Sequence, residues 1–175
     1  MPYIADEQRA AIAPLLDAVI LAFDDFPADP LVDAVGYAVY RIVNETLGKS
    51  GWRYRTLARA VAVFECAALE IDRRRHVQKT REWYALRDAR NVERAHPKIV
   101  PPVDALIAEL KRVLDDQVDG LLNYICTRLS LGVLYSNESA YALLIACKEL
   151  FYDSVVGSYE DTAKSANGDI PEYAT

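Results

Sequence analysis

Glycine and proline are scarce in this 175-residue chain, 7 and 8 respectively. That disfavours a sandwich or barrel, which would need a turn about every ten residues. No apolar run reaches the ~18 residues of a membrane span, and no basic segment leads into an apolar stretch near Met1, so neither a membrane helix nor a secretory leader is expected. Cysteine is limited to Cys66, Cys126 and Cys147, an odd number, widely spaced and set among apolar helical patterns. All three are expected to be buried thiols in a reducing cytoplasm. The two histidines, His76 and His96, lack the spacing of a zinc pair, and no metal or other cofactor is expected. Gly48-Lys49-Ser50-Gly51 is too short for a phosphate-binding loop. What the chain does have is 52% hydrophobic and 26% charged residues. At this length roughly 70% of the unfolded surface can be buried, so a core needs no metal or disulfide to hold it.

The apolar residues recur at helical spacing. Pro14 marks a first helical position, with Leu15, Leu16, Val19, Ile20 and Phe23 following, until Asp24, Asp25, Pro27 and Pro30 break the run. A second helix is predicted from about Leu31 to Leu47 and ends in the turn at Gly48–Gly51. Leu57, Val61, Phe64, Ala68 and Ile71 form the core-facing stripe of a third, which continues or resumes toward Arg90 through Trp83, Tyr84 and Leu86. Val100-Pro101-Pro102 opens a fourth, with further helices from about Asp119 to Leu134 and from Glu138 to Tyr159. Asn167-Gly168 signals a turn in the polar tail. The fold class is all-α.

The chain also repeats itself. A shift of 87 positions lays Pro14 on Pro101, Asp17 on Asp104, Ile20 on Ile107, Tyr37 on Tyr124 and Arg41 on Arg128. With a loop seven residues shorter the shift becomes 80, and Ala60 meets Ala140, Ala62 meets Ala142 and Ile71 meets Phe151. The expectation is a helical bundle of two tandem, pseudo-two-fold related three-helix repeats. Residues 1–91 form the first and 92–175 the second, packed as one globular body because three short helices alone bury little.

Net charge is −6, unevenly spread. From Arg41 to Lys98 there are fourteen Lys or Arg against seven acids, whereas the remainder holds six bases against nineteen acids. The densest basic stretch is Arg73-Arg74-Arg75 followed by Lys79, Arg81, Arg87, Arg90 and Arg94. Either this basic part packs against acidic helices, within the chain or between subunits, or its arginines line a groove for an anion. Duplex nucleic acid is disfavoured, since an acidic protein repels a long polyanion everywhere but at the patch.

Leu122-Asn123-Tyr124-Ile125-Cys126-Thr127-Arg128-Leu129, the tail Tyr159-Glu160-Asp161 with Lys164 and Asn167-Gly168-Asp169-Ile170, and the opening Met1-Pro2-Tyr3-Ile4 carry a resemblance. They resemble blocks of a family of small phage and prophage proteins of unknown function. Those proteins are generally about one repeat long, so the chain looks like a fused two-copy member. The resemblance covers most of residues 101–170 and extends more loosely over the first half. It implies a viral accessory role in a bacterial cytoplasm and no reaction. Gly36 stands where the family motif has Asn, and Tyr152-Asp153-Ser154 departs from its Tyr-Arg-Arg.

The most specific repeated feature is Tyr37 with Arg41 and Tyr124 with Arg128, each pair four apart on one helical face. Each Arg either pairs with an acid and rests its stem on Tyr, or presents donors to a ligand. In the second case Arg41, Arg128 and Lys148, with Arg53, Arg55 and Arg59, bind phosphate oxygens while Tyr37 and Tyr124 stack on a base. The leading functional expectation is a non-enzymatic, homo-oligomeric accessory protein that sequesters a small anion such as a nucleotide or cyclic dinucleotide. A structural or protein-interaction module is the alternative. A magnesium-dependent nucleotide hydrolase would need paired carboxylates one turn apart on facing helices, and Glu65, Glu70 and Asp72 fit that poorly.

Overall fold

The computed structural model describes residues 5–24, 26–75, 94–112 and 115–167. The stretch from His76 to Glu93, with Trp83, the expected continuation toward Arg90 and the basic residues Lys79, Arg81, Arg87 and Arg90, lies outside the described residues, as do the opening Met1–Ile4 and the tail beyond Asn167. Every regular element among the described residues is helical. The order is α1 (Asp6–Leu21), α2 (Ala28–Leu47), α3 (Tyr54–Arg75), α4 (Val100–Leu110), α5 (Asp115–Val133), α6 (Asn137–Phe151) and α7 (Gly157–Asn167).

Helix ends follow local chemistry. At α1 the Gln8 side chain accepts from the Ala5 backbone N–H at 3.1 Å, and Asp6 and Glu7 sit in the first turn, where the N-terminal partial charge favours them. This start corrects the expectation that Pro14 opens the helix, because Pro14 lies inside α1. Its ring removes one intrahelical bond to Ala10, but both residues are exposed, so the freed carbonyl lies on the solvent side of the helix. After α2 a single 3₁₀ turn, Gly48–Ser50, leads to Gly51 at φ 81°, a conformation glycine adopts without strain. Thr56 Oγ1 accepts from the Arg53 N–H at 2.9 Å to start α3, and Ser136 Oγ does the same for Ser139 at α6. Pro101 stands in the first turn of α4, where its missing N–H costs nothing.

The helix expected to run unbroken from Glu138 to Tyr159 is instead interrupted by a π turn at Tyr152–Val156. There Ser154 Oγ donates to the Leu150 carbonyl at 2.6 Å and lies 3.0 Å from the Tyr40 hydroxyl, so a side chain competes for the helical ladder.

α3 packs mainly on α6 and α5, α1 on α4 and α5, and α2 on α6, α5, α4 and α3, while α5 also meets α6. All contribute to one continuous core. Buried positions fall in the same register in both stretches. Ile12, Leu16, Val19 and Phe23 of the first stretch correspond, 87 residues on, to Ile99, Val103, Leu106 and Leu110. Leu31, Ala34, Val35, Ala38, Val39 and Ile42 correspond to Val118, Leu121, Leu122, Ile125, Cys126 and Leu129. Ala60, Val63, Phe64, Ala67 and Ile71 correspond, 80 residues on, to Ala140, Leu143, Leu144, Cys147 and Phe151. Each large aliphatic or aromatic side chain so buried contributes about 1.5–3 kcal/mol against the entropy of ordering the chain.

Cys126 and Cys147 are buried, but Cys66 is exposed, which corrects the expectation for that residue. It projects beside the stripe of Val63, Ala67 and Ile71 and away from the helices they pack against.

Candidate functional site

Tyr37 and Arg41 sit one turn apart on α2, and the helix brings them together. The Arg41 guanidinium donates from Nη1 to the Tyr37 hydroxyl at 3.0 Å and lies 5.9 Å from the centre of its ring. Its Nε donates to Glu45 Oε1 at 2.6 Å, and Nη2 reaches Asp104 of α4 at 2.5 Å. Lys111, just past α4, stands 3.5 Å from the other Glu45 oxygen. Only 18% of the Arg41 side chain is exposed. Burial alone would lower the pKa of Arg41, yet the hydrogen bond and charge of Glu45, with Tyr37, outweigh it and raise the pKa.

Tyr124 and Arg128 hold the matching positions on α5 but in a more open setting. Tyr124 is half-buried, and the Arg128 side chain is 51% exposed with Nη2 3.9 Å from Asp17 of α1. Where Arg41 has Glu45 four residues on, Arg128 has Gly132. There α1 and α5 approach so closely that a Cβ on Gly132 would lie 3.1 Å from Cδ1 of Ile20.

The remaining predicted donors divide. Arg59 forks onto both carboxylate oxygens of Asp119 on α5 at 2.9 Å, and Lys148 of α6 bonds Glu65 of α3. Arg53 and Arg55 are exposed around the start of α3. Arg41, Arg59 and Lys148 therefore each hold an acid from another helix, and those acids lie on α4, α5 and α3.

A groove of about 560 Å³ runs beside α3, α6 and the π turn, lined by Val61, Glu65, Lys148, Glu149, Tyr152 and Asp153. Of the eight predicted ligand residues, Lys148 is the one that lines it. Its other charged walls are carboxylates, so its potential favours a cation. Glu149 and Asp153 have no ion-pair partner among the described residues. The Tyr152 hydroxyl donates to Glu160 at 3.2 Å, and the nearby Glu160 charge raises its pKa. Sequence reasoning missed this groove because Glu149 and Asp153 become neighbours of Glu65 only through the α3–α6 contact and the π turn. The departure of Tyr152-Asp153-Ser154 from an otherwise basic motif was the available signal.

The carboxylates weighed for magnesium have other engagements. Glu65 holds Lys148, and buried Glu70 takes Arg73 at 3.1 Å. Among the described residues no group of three or more His, Cys, Asp or Glu side chains could hold a metal ion, and no helix is long and apolar enough to cross a membrane.

Residues 1–81 match the family model described as Domain of unknown function (DUF6899), so the first half is similar to an uncharacterised family. The match falls on the half in which the resemblance noted above was looser. Comparison with curated proteins and with solved structures gave no match.

Proposed function

We propose that the chain is a protein-interaction module built of two tandem three-helix copies, whose acid-lined groove beside α3 and α6 receives a cationic segment of a partner protein. Four observations support the two-copy build. Helix packing is reciprocal: α1 meets α5 as α4 meets α2, α3 meets α5 as α6 meets α2, and α2 meets α3 as α5 meets α6. The buried positions keep one register across both copies. The Arg41–Asp104 pair has its counterpart in Arg128–Asp17, with both residues displaced by the same 87 positions in opposite senses. The stretch matched by the family model, 1–81, is about one copy long.

The observation that carries the functional reading is the groove's charge. Lys148 is neutralised by Glu65, which leaves Glu149 and Asp153 to pair with incoming Lys or Arg, and half-exposed Tyr152 offers a face on which a guanidinium can stack. A phage-type accessory role, resting on the resemblance in sequence, is part of the same proposal. Calorimetric titration with a short Arg- and Lys-rich peptide should give salt-sensitive binding that weakens at least tenfold in a Glu149→Gln, Asp153→Asn variant. No heat, or heat unchanged in that variant, rules the groove out.

A second reading, capture of a small anion by a homo-oligomer, is favoured by Arg128, whose 3.9 Å pair with Asp17 is too long for a hydrogen bond, and by exposed Arg53 and Arg55. A nucleotide or cyclic dinucleotide that raises the melting temperature of the native chain, but not of Arg128→Ala, would favour it over the groove.

A further inference from the structure

Resting on the two-copy reading, we infer that the face through which residues 5–75 pack on the second half is self-complementary, so its natural partner class includes a second copy of those same residues. The interface between the halves is laid out as a two-fold dimer interface is: the same patch appears on both sides, so each contact occurs twice.

Replacing the second half in thought by another first half tests the fit position by position. Asp17 takes the place of Asp104 and meets Arg41, and the same pair forms again at the other end. The buried residues Ile99, Val103, Leu106 and Leu110 become Ile12, Leu16, Val19 and Phe23, which are already buried against α5 and the rest of the core in their present positions. In α5 all six buried positions paired above remain apolar, and Ser130, a buried hydroxyl, becomes Val43. The crossing of Ile20 with Gly132 becomes one of Ile20 with Glu45, and the present fold already places Glu45 on the α2–α4 side, where buried Ile107 is the equivalent of Ile20. None of the buried apolar positions paired above acquires a charge, but buried Gly120 gives way to Asp33, partly buried Ile145 and Leu150 to Glu65 and Glu70, and Lys148 to Ala68.

What the self-pair loses is a set of ion pairs that occur once. Arg59–Asp119 would face Val32, Glu65–Lys148 would face Ala68, and Glu45–Lys111 would set Glu45 beside Asp24. These three pairs have no counterpart across the pseudo-dyad. They favour pairing of unlike halves over pairing of like ones, a discrimination laid over a common apolar surface.

Two rearranged chains test this. One carries residues 94–167 followed by 5–75 on a flexible linker. The other carries residues 5–75 twice, joined by the native 76–93 stretch. Both are compared with the native chain by circular dichroism, thermal melting and light scattering. The inference expects both to be helical, cooperative monomers, with the first-half tandem melting about 5 °C lower for its three lost surface pairs. If the reordered chain folds while the first-half tandem is unfolded or assembles into larger species, self-complementarity is overturned and the two-copy reading survives. If neither folds, both are lost. Adding Asp24→Lys to each copy of the first-half tandem removes the Asp24–Glu45 like-charge contact, so a failure that persists counts against the shared apolar surface.

Discussion

The guanidinium of Arg41 reaches the carboxylate of Asp104 at 2.5 Å across the α2–α4 contact, with Tyr37 beneath it and Glu45 beside it. Its counterpart, Arg128 with Asp17, is looser at 3.9 Å, and both of its side chains are more than half exposed. The same two residue types at the same positions thus sit in unlike surroundings. The difference traces to position 132, where glycine replaces the acid that would fix the arginine.

That difference predicts unequal coupling. In a double-mutant cycle, Arg41→Ala with Asp104→Ala should give a coupling energy of about 1 kcal/mol, because the pair is half-buried and geometrically fixed. Arg128→Ala with Asp17→Ala should give less than about 0.3 kcal/mol. Arg41→Ala alone should cost about 1–2 kcal/mol, since it strips partners from Glu45 and from the buried Tyr37 hydroxyl. Chemical denaturation measures all of these, and equal couplings at the two ends would contradict the asymmetry.

The helices were legible from periodicity because burial repeats every 3.6 residues wherever one face meets a core. Leu57, Phe64, Ala68 and Ile71 are buried as the stripe implies. The Tyr37–Arg41 contact was legible for the same reason, being set by spacing along one helix. Its acid partner Asp104 was not, because that choice depends on how distant helices cross. Pro14 misled because a proline suits a first turn but is also tolerated inside a helix whose outer face is wet. Cys66 misled because an apolar neighbourhood in sequence says little about which side of the helix a residue takes.

The exposure of Cys66 sets native thiol chemistry. A thiol reagent in excess should modify one cysteine of three quickly in the folded protein, and Cys66→Ser should abolish that fast phase. Cys126 and Cys147 should react only upon unfolding. Two fast equivalents would show that one of the buried thiols is accessible.

Alkaline stability should carry the signature of Cys126. Burial pushes its pKa from the ordinary 9.0 up to about 12, and Cys147 is raised by the same cause. The folded state therefore holds these protons to higher pH than the unfolded state does. Stability from this source is complete below pH 9 and is lost as pH climbs toward 12. Cys126→Ala should flatten the decline in denaturation midpoint above pH 9 relative to the native chain. An identical slope in both proteins would mean that other groups account for the whole effect.

Two buried hydroxyls, Ser130 Oγ and Thr46 Oγ1, find no hydrogen-bond partner among the described residues. A hydroxyl left in that state costs roughly 1–3 kcal/mol relative to one that is paired. Ser130→Val supplies the residue found 87 positions earlier, Val43, and should raise stability by about 1 kcal/mol. Thr46→Val should act in the same direction. A loss of stability in both variants would indicate that these hydroxyls are satisfied in solution.

Phe151 of α6 sits among aromatic side chains of α2, α3 and the turn between them. Its ring lies 5.2 Å from Trp52 in an edge-on arrangement, 6.0 Å from Phe64 and 6.2 Å from Tyr40, and it is fully buried. Truncation to alanine removes the transfer free energy of the ring and leaves a cavity that three aromatic neighbours cannot easily close. Phe151→Ala should therefore cost about 3–5 kcal/mol. Phe151→Ile, which installs the residue type found 80 positions earlier at Ile71, keeps most of the volume and should cost less, about 1–2 kcal/mol. Trp52 fluorescence reports on the same contact and should shift to the red in the alanine variant before global unfolding. A cost below about 1 kcal/mol for Phe151→Ala would mean that the aromatic cluster is not part of the cooperative core, and that the α3–α6 contact is held chiefly by its aliphatic residues.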